Sequence, residues 1–187
     1  MFIQTEVTPN PATLKFLPGR TVMDAGTLDL RSTAEAAASP LAQHLFAVSG
    51  VAGVFFGSDF ISVTKTDDSD WPQIKPAILG AIMEHFVSGA PLLAGAAAAA
   101  EDTGDEFFDE ADTETVDTIK ELIESRVRPA VANDGGDITF KGFKDGVVFL
   151  HMKGACAGCP SSTATLRHGI QNLLRHYLPD VIEVRPV

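Results

Sequence analysis

The only two cysteines of the 187-residue chain stand three positions apart, in the run Gly154-Ala155-Cys156-Ala157-Gly158-Cys159-Pro160. Two thiolates at that spacing can grip one side of a metal site, but an iron–sulfur cluster held by protein normally takes four cysteines. One chain therefore carries half of such a site, and a second chain must complete it unless histidines or small thiols do. The same pair is open to two other chemistries, a zinc site and reversible dithiol exchange at a strand-to-helix junction. Zinc held within one chain would recruit His151 or His168, and both read first as surface or half-buried histidines. His44, His85 and His176 fall in helical stretches without ligand-spaced partners. Against dithiol exchange stand the absence of a tryptophan before the pair and an element order that reads without a βαβ unit.

The chemistry depends on where the loop sits. It leaves an extended segment and enters a helical one, with Pro160 suited to the first helical position. Cys159 then lies near the N-cap, where unpaired amides and the positive end of the helix dipole lower a thiol's pKa. Gly154 and Gly158 remove bulk where sulfur must approach backbone, and Ser161 and Ser162 offer hydroxyl donors. Lys153 and Arg167 are placed to offset the negative charge of a ligated cluster. A cluster so little enclosed is easily loaded and easily lost, which suits a carrier better than an electron-transfer protein. Asp134-Gly135-Gly136-Asp137 reads as a tight connection rather than a catalytic carboxylate pair, because glycine permits positive φ and Asp caps turns. No Ser-His-Asp arrangement, P-loop or GxGxxG is visible, and nothing but the cysteines is nominated as a nucleophile. The residues by themselves favour a cluster-binding protein over a zinc module or a thiol–disulfide oxidoreductase and leave all three open.

The elements that must position this loop read as two small α+β domains. The first is β-β-α-β-β-α: extended Phe2 to Thr8, a turn at Thr8-Pro9-Asn10-Pro11, extended Thr13 to Leu17, a helix from Ser39-Pro40, strands Val51 to Phe56 and Phe60 to Lys65 joined through Gly57-Ser58-Asp59, and a helix opened by Asp70-Trp71-Pro72. In that last helix Ile74, Ile78, Ile82, Met83 and Phe86 recur at helical spacing. The second domain is α-β-β-α-β. Val116, Ile119, Leu122, Ile123 and Val127 stripe a helix that Pro129 kinks or ends. Ile138 to Phe143 and Val147 to Met152 form a hairpin through Lys144-Asp145-Gly146. A helix from about Ser161 to Tyr177 carries Leu166, Ile170, Leu173, Leu174 and Tyr177 on one face, and Val181 to Val184 is a last strand.

Charge divides the chain the same way. Residues 1–92 carry a net −4, residues 93–112 a net −7 with no basic residue, and residues 113–187 a net zero, within a total of −11. The middle stretch reads as an acidic flexible linker between domains spanning 1–92 and 113–187, with Phe107-Phe108 as the odd note in it, read first as a pair resting on a neighbouring domain. So acidic a balance argues against nucleic-acid or anionic-membrane partners. No apolar run is long enough to span a bilayer. The N-terminus has neither a secretory nor a transit-peptide pattern, so the expectation is bacterial cytoplasm, with the mature mitochondrial matrix as the alternative.

Several of these residues together carry a resemblance. Arg128-Pro129-Ala130-Val131, Asp134-Gly135-Gly136-Asp137-Ile138, the cysteine run through Pro160-Ser161-Ser162, Thr165-Leu166 and Gly169-Ile170 resemble, in order and spacing, the NifU C-terminal (Nfu) domain family over roughly residues 113–187. Residues 1–90, with Thr8-Pro9-Asn10-Pro11-Ala12-Thr13-Leu14-Lys15-Phe16 and Pro18-Gly19, are similar to the N-terminal domain attached to Nfu proteins of mitochondria and related bacteria. The resemblance implies an iron–sulfur cluster scaffold or carrier. Cys156 and Cys159 of two subunits would bridge a 4Fe–4S cluster, or a 2Fe–2S one, in a homodimer. Upstream assembly machinery would be the donor and apo iron–sulfur proteins the recipients. Gln171 stands where many relatives carry an acid, at an expected exposed position with little bearing on ligation.

Overall fold

The structure is a computed structural model, and it describes residues 1–94, 105–157 and 159–187. The chain divides into two compact units, Met1–Glu101 and Asp102–Val187. Both mix sheet and helix, so the expected α+β class with two small domains holds.

In the first unit β1 (Gln4–Val7), β2 (Thr13–Leu17), β3 (Leu28–Leu30), β4 (Val51–Phe56) and β5 (Ile61–Lys65) form an antiparallel sheet in the order β1-β2-β5-β4-β3. Strand β3 was not expected. Its three residues are too short for an alternation to show, and pairing with β4 through Leu30↔Val54 defines it. Helix α1 (Pro40–Phe46) starts as its sequence requires, with Ser39 Oγ accepting from the Ala42 amide at 3.3 Å and Pro40 in the first turn. Helix α2 (Trp71–Ser88) buries Ile74, Ile78 and Ile82. Met83 leaves the expected stripe for solvent, and His85 takes a buried place two residues further on. Phe16, Val54, Phe56, Ile61 and Val63 meet Leu41, Leu45, Ile78 and Ile82 in one core.

The second unit opens with α3 (Thr113–Leu122), a π-helical turn over Ile123–Val127, and α4 (Arg128–Asn133). Pro129 has no amide to donate and its ring crowds the carbonyl four residues back. One wider turn just before it lets the helical path continue, so the buried stripe runs unbroken from Val116 to Val131. Strands β6 (Gly136–Lys144) and β7 (Val147–Gly154) are an antiparallel hairpin. Its turn puts Asp145 and Gly146 at φ 52° and 76°, the left-handed pair that suits the strand twist. Helix α5 (Pro160–Tyr177) then crosses to β8 (Glu183–Pro186), which pairs in parallel with β7. This is a correction: the element order reads as lacking a βαβ unit, but β7–α5–β8 is a βαβ crossover, so that objection to dithiol exchange falls. A last strand only four residues long gave no sign of its direction. Tyr177 departs from the expected buried face and is exposed at the end of α5, with the Arg126 guanidinium over its ring at 5.4 Å.

Half of the acidic stretch, residues 95–104, lies outside the described residues. From Asp105 onward the chain belongs to the second unit. Phe107 forms a parallel bridge to Gly142, and a short 3-10 turn over Glu110–Asp112 leads into α3. The segment is held because its aromatic residues find apolar partners that its charges alone do not provide.

Candidate functional site

The cysteine loop lies between the C-terminal end of β7 and the N-terminal end of α5. Both thiols are free. Cys159 is the N-cap residue of α5, with Pro160 following it, as the sequence predicts. Its sulfur lies 3.5 Å from Ser161 Oγ. Hydroxyls of Ser161 and Ser162, then the Ser162 amide at the open start of the helix, hold its pKa down to about 7. Cys159 is therefore a partly exposed group that is about half thiolate at pH 7, against a small fraction for an ordinary thiol.

Cys156 is its opposite. It is buried in the core of the second unit together with Ile138, Met152 and Ile170. Burial pushes its thiol up to about 12, and the charges of Asp134 and Asp137 add to the effect. The room for its sulfur is made by Gly136. A Cβ there would lie 2.6 Å from the Lys153 carbonyl and 2.8 Å from Cys156 Sγ. Gly135 supplies the positive φ, 82°, and its carbonyl accepts from the Ala155 amide at 3.2 Å. The Asp-Gly-Gly-Asp run thus does more than turn the chain. It is the wall against which Cys156 packs.

The second carboxylate of that run is also engaged. Asp137 takes a two-pronged contact from Arg128, Nε to Oδ1 and Nη2 to Oδ2 at 2.9 Å each, and its own Oδ1 accepts from the Ile138 amide at 2.8 Å. Arg128 reaches Glu124 as well, at 2.7 Å. Arg128 is held firmly charged by the Asp137 contact first and by Glu124 second. The link between the Arg-Pro and Asp-Gly-Gly-Asp runs is a tertiary contact across nine residues, and nothing in local spacing marks it.

Thr163 was not nominated from the sequence. Its hydroxyl donates to the Cys156 carbonyl at 3.0 Å and its amide to the Cys159 carbonyl at 2.9 Å, so one residue ties both ends of the loop. The amide bond is ordinary helical spacing. The hydroxyl bond depends on the path of the loop and left no sign in the sequence. Of the two nominated cations, Lys153 is buried directly across the ladder from Asp137, and the charge of Arg167 acts on Glu183 of β8. Gln171 is half-buried rather than exposed, and its Oε1 accepts from the Val184 amide at 3.2 Å, tying α5 to β8. Among the described residues no group of three or more His, Cys, Asp and Glu is arranged to hold a metal, so neither His151 nor His168 joins the cysteines in one.

Fold and loop define a two-domain protein that presents one pair of cysteines at a strand-to-helix junction. The family model described as "Scaffold protein Nfu/NifU N terminal" matches residues 3–89, and that of the "NifU-like domain" matches residues 119–185. The mitochondrial NifU-like protein 4 of Arabidopsis thaliana is 52% identical over 184 residues, which cover 97% of this chain and 64% of the relative. The human mitochondrial NFU1 iron-sulfur cluster scaffold homolog is 49% identical over 188 residues, which cover 100% and 72%. The chain thus spans about two thirds of the length of these curated relatives. A solution structure of a NifU-like protein from Saccharomyces cerevisiae aligns with a TM-score of 0.46 and 28% identity over 50% of this chain and 85% of that one. The chain belongs to the Nfu/NifU family, a family of scaffold proteins rather than enzymes.

Proposed function

We propose that the protein binds a labile iron–sulfur cluster, 4Fe–4S in the first instance, between the Cys156 and Cys159 pairs of two subunits and passes it by ligand exchange to apo-proteins. The observation that carries this reading is the half-site: two free thiols in one loop, with no third ligand arranged beside them among the described residues. Four thiolates are what such a cluster needs, and a homodimer supplies four. The cluster is cargo, so an exposed thiolate at Cys159 suits exchange and a buried Cys156 suits retention. Residues 1–92, which contain no cysteine, serve in this reading to recognise donor or target proteins. The acidic stretch of 93–112 joins them to the cluster-binding domain of 113–187, with its last residues, from Asp105, packed onto that domain. The mitochondrial relatives favour the mitochondrial matrix over bacterial cytoplasm as the compartment.

The test is anaerobic reconstitution with iron and sulfide, followed by size exclusion, iron and sulfide assays and Mössbauer spectroscopy. The expected product is a dimer with about four irons and four sulfides, released to a chelator or an apo-acceptor. Cys156→Ser and Cys159→Ser should each abolish cluster binding with the apo-domain still folded. A colourless monomer with a redox-active cysteine pair, or with tightly held zinc, would overturn the reading.

A further inference from the structure

The end of the acidic stretch is built into the edge of the second sheet in the manner of a bound peptide. The Phe107 amide donates to the Lys141 carbonyl at 3.2 Å, and the Phe143 amide donates to the Phe107 carbonyl at 2.9 Å. Between those two bonds β6 carries a register shift at Phe140/Gly142, and Gly142 is bare so that the ring of Phe107 can lie on it. A Cβ at Gly142 would come within 2.5 Å of Phe107 Cε1 and Cε2. The ring also meets Phe149 at a centroid distance of 5.1 Å. On one side Lys120 pairs with Glu106 and places its ammonium 5.9 Å from the Phe108 ring and 5.5 Å from that of Phe140.

These parts make a recognition site: a strand edge that presents the Phe143 amide and the Lys141 carbonyl to Phe107, a glycine platform backed by an aromatic ring, and a lysine for a carboxylate. The hold on the segment is slight. Its backbone is held by a single bridge made of two hydrogen bonds, its side chains by the Lys120–Glu106 pair and the Phe149 ring, and Phe107 and Phe108 remain 44% and 38% exposed. Attachments so few and so wet open locally without unfolding the sheet beneath them.

We propose that Glu106-Phe107-Phe108 is a tethered ligand covering a peptide-binding edge on β6, and that the partner of this edge is an extended segment of another protein with phenylalanine beside carboxylates. The partner adds as a strand in place of the cis segment, with its phenylalanine on Gly142 and its carboxylate on Lys120. The cis segment sets the threshold, because an incoming peptide binds only the open fraction and its apparent affinity falls by that fraction.

The test uses the full chain and a labelled peptide of residues 105–112. The variant F107A should bind this peptide at least about tenfold more tightly than the wild-type chain, whose own segment competes. The double variant F107A/G142A, in which a methyl fills the platform, should lose that binding. In wild-type hydrogen exchange the Phe143 amide should exchange well ahead of the β6–β7 ladder amides. A folded F107A chain that ignores the peptide overturns the proposal, and so does a Phe143 amide that exchanges only with global unfolding. Should F107A fail to fold, the exchange result on the wild-type chain decides alone. Dimers of the wild-type apo-chain formed by swapping this segment, read by light scattering, would assign the edge to a second copy and overturn the partner assignment. None of these readouts involves iron, so the outcome is independent of cluster binding.

Discussion

In the first unit fully buried side chains include Phe16, Phe56, Leu41, Ile78 and Ile82, and a buried ammonium, Lys15, lies at the sheet's far face over Phe60, 3.7 Å from a half-exposed Glu6. In the second unit Asp137 and Lys153 are buried on paired strands and Cys156 is packed against the glycine beside Asp137. The first arrangement separates charge from core, so its stability rests on apolar volume. The second packs the thiol against glycine and within reach of the Asp137 charge, so a change made for stability there is also a change in chemistry. Substitutions in the two units should therefore behave differently in kind, not only in size.

The largest effect is expected from Phe16→Ala. A fully buried phenylalanine removed from a close-packed core costs about 3–5 kcal/mol. The single tryptophan, Trp71, belongs to the first unit and the single tyrosine, Tyr177, to the second, which gives each unit its own optical probe. Denaturant unfolding followed by Trp71 fluorescence should show the loss, and the alkylation rate of Cys159 should stay at its wild-type value. An altered alkylation rate would show that the units are not energetically separate.

A smaller loss, with a chemical consequence attached, is expected from Asp137→Asn. A hydrogen bond to a charged group contributes about 1.5–3 kcal/mol, and the neutral amide keeps the shape while losing most of the pull on Arg128. Removing a negative charge beside Cys156 should also bring its thiol down from about 12, read as faster alkylation at pH 9. Lost stability with unchanged Cys156 reactivity would mean that Asp137 acts only as a brace. Gly136→Ala should cost about 1–3 kcal/mol by overpacking, because the new methyl meets a backbone carbonyl as well as the sulfur and the carbonyl cannot swing away. Its signature is Cys156 made accessible, whereas the Phe16 variant leaves both thiols alone.

How far the sequence foretold this contrast follows from the range of the interactions. The cysteine pair, the N-cap place of Cys159 and the Pro160 start were legible because they depend on residues a few positions apart. So were the stripes of α3 and α2, with Met83 and His85 exchanged because a stripe's edge is decided by what packs on it. The direction of β8 was not legible, since β7 and β8 are about thirty residues apart and a four-residue strand carries no mark of parallel pairing. The place of Phe107 on Gly142 was hidden for a related reason: a glycine within a strand shows that something approaches it, but not what. The burial of Cys156 was invisible because both cysteines sit in the same small-residue loop, and only the fold sets them apart.

That difference between the two thiols gives a last prediction with opposite signs on one loop. Both start from an ordinary value of 9.0. Cys159 has its pKa lowered in the fold, so between about 7 and 9 the unfolded chain holds a proton that the folded chain has released. Stability of the second unit gains from Cys159 as pH rises through that window and loses the gain as pH falls through about 7. Cys156 has its pKa raised, so above 9.0 the unfolded chain releases a proton that the folded chain keeps, and stability falls as pH climbs toward 12. The second unit should therefore show a shallow rise in urea midpoint from pH 7 to 9 and a decline beyond it, followed by far-UV circular dichroism. Cys159→Ser should flatten the rise and leave the decline, and Cys156→Ala should do the reverse. If the two variants instead change the profile alike, the thiols share one environment and the division of labour drawn between retention and exchange does not hold.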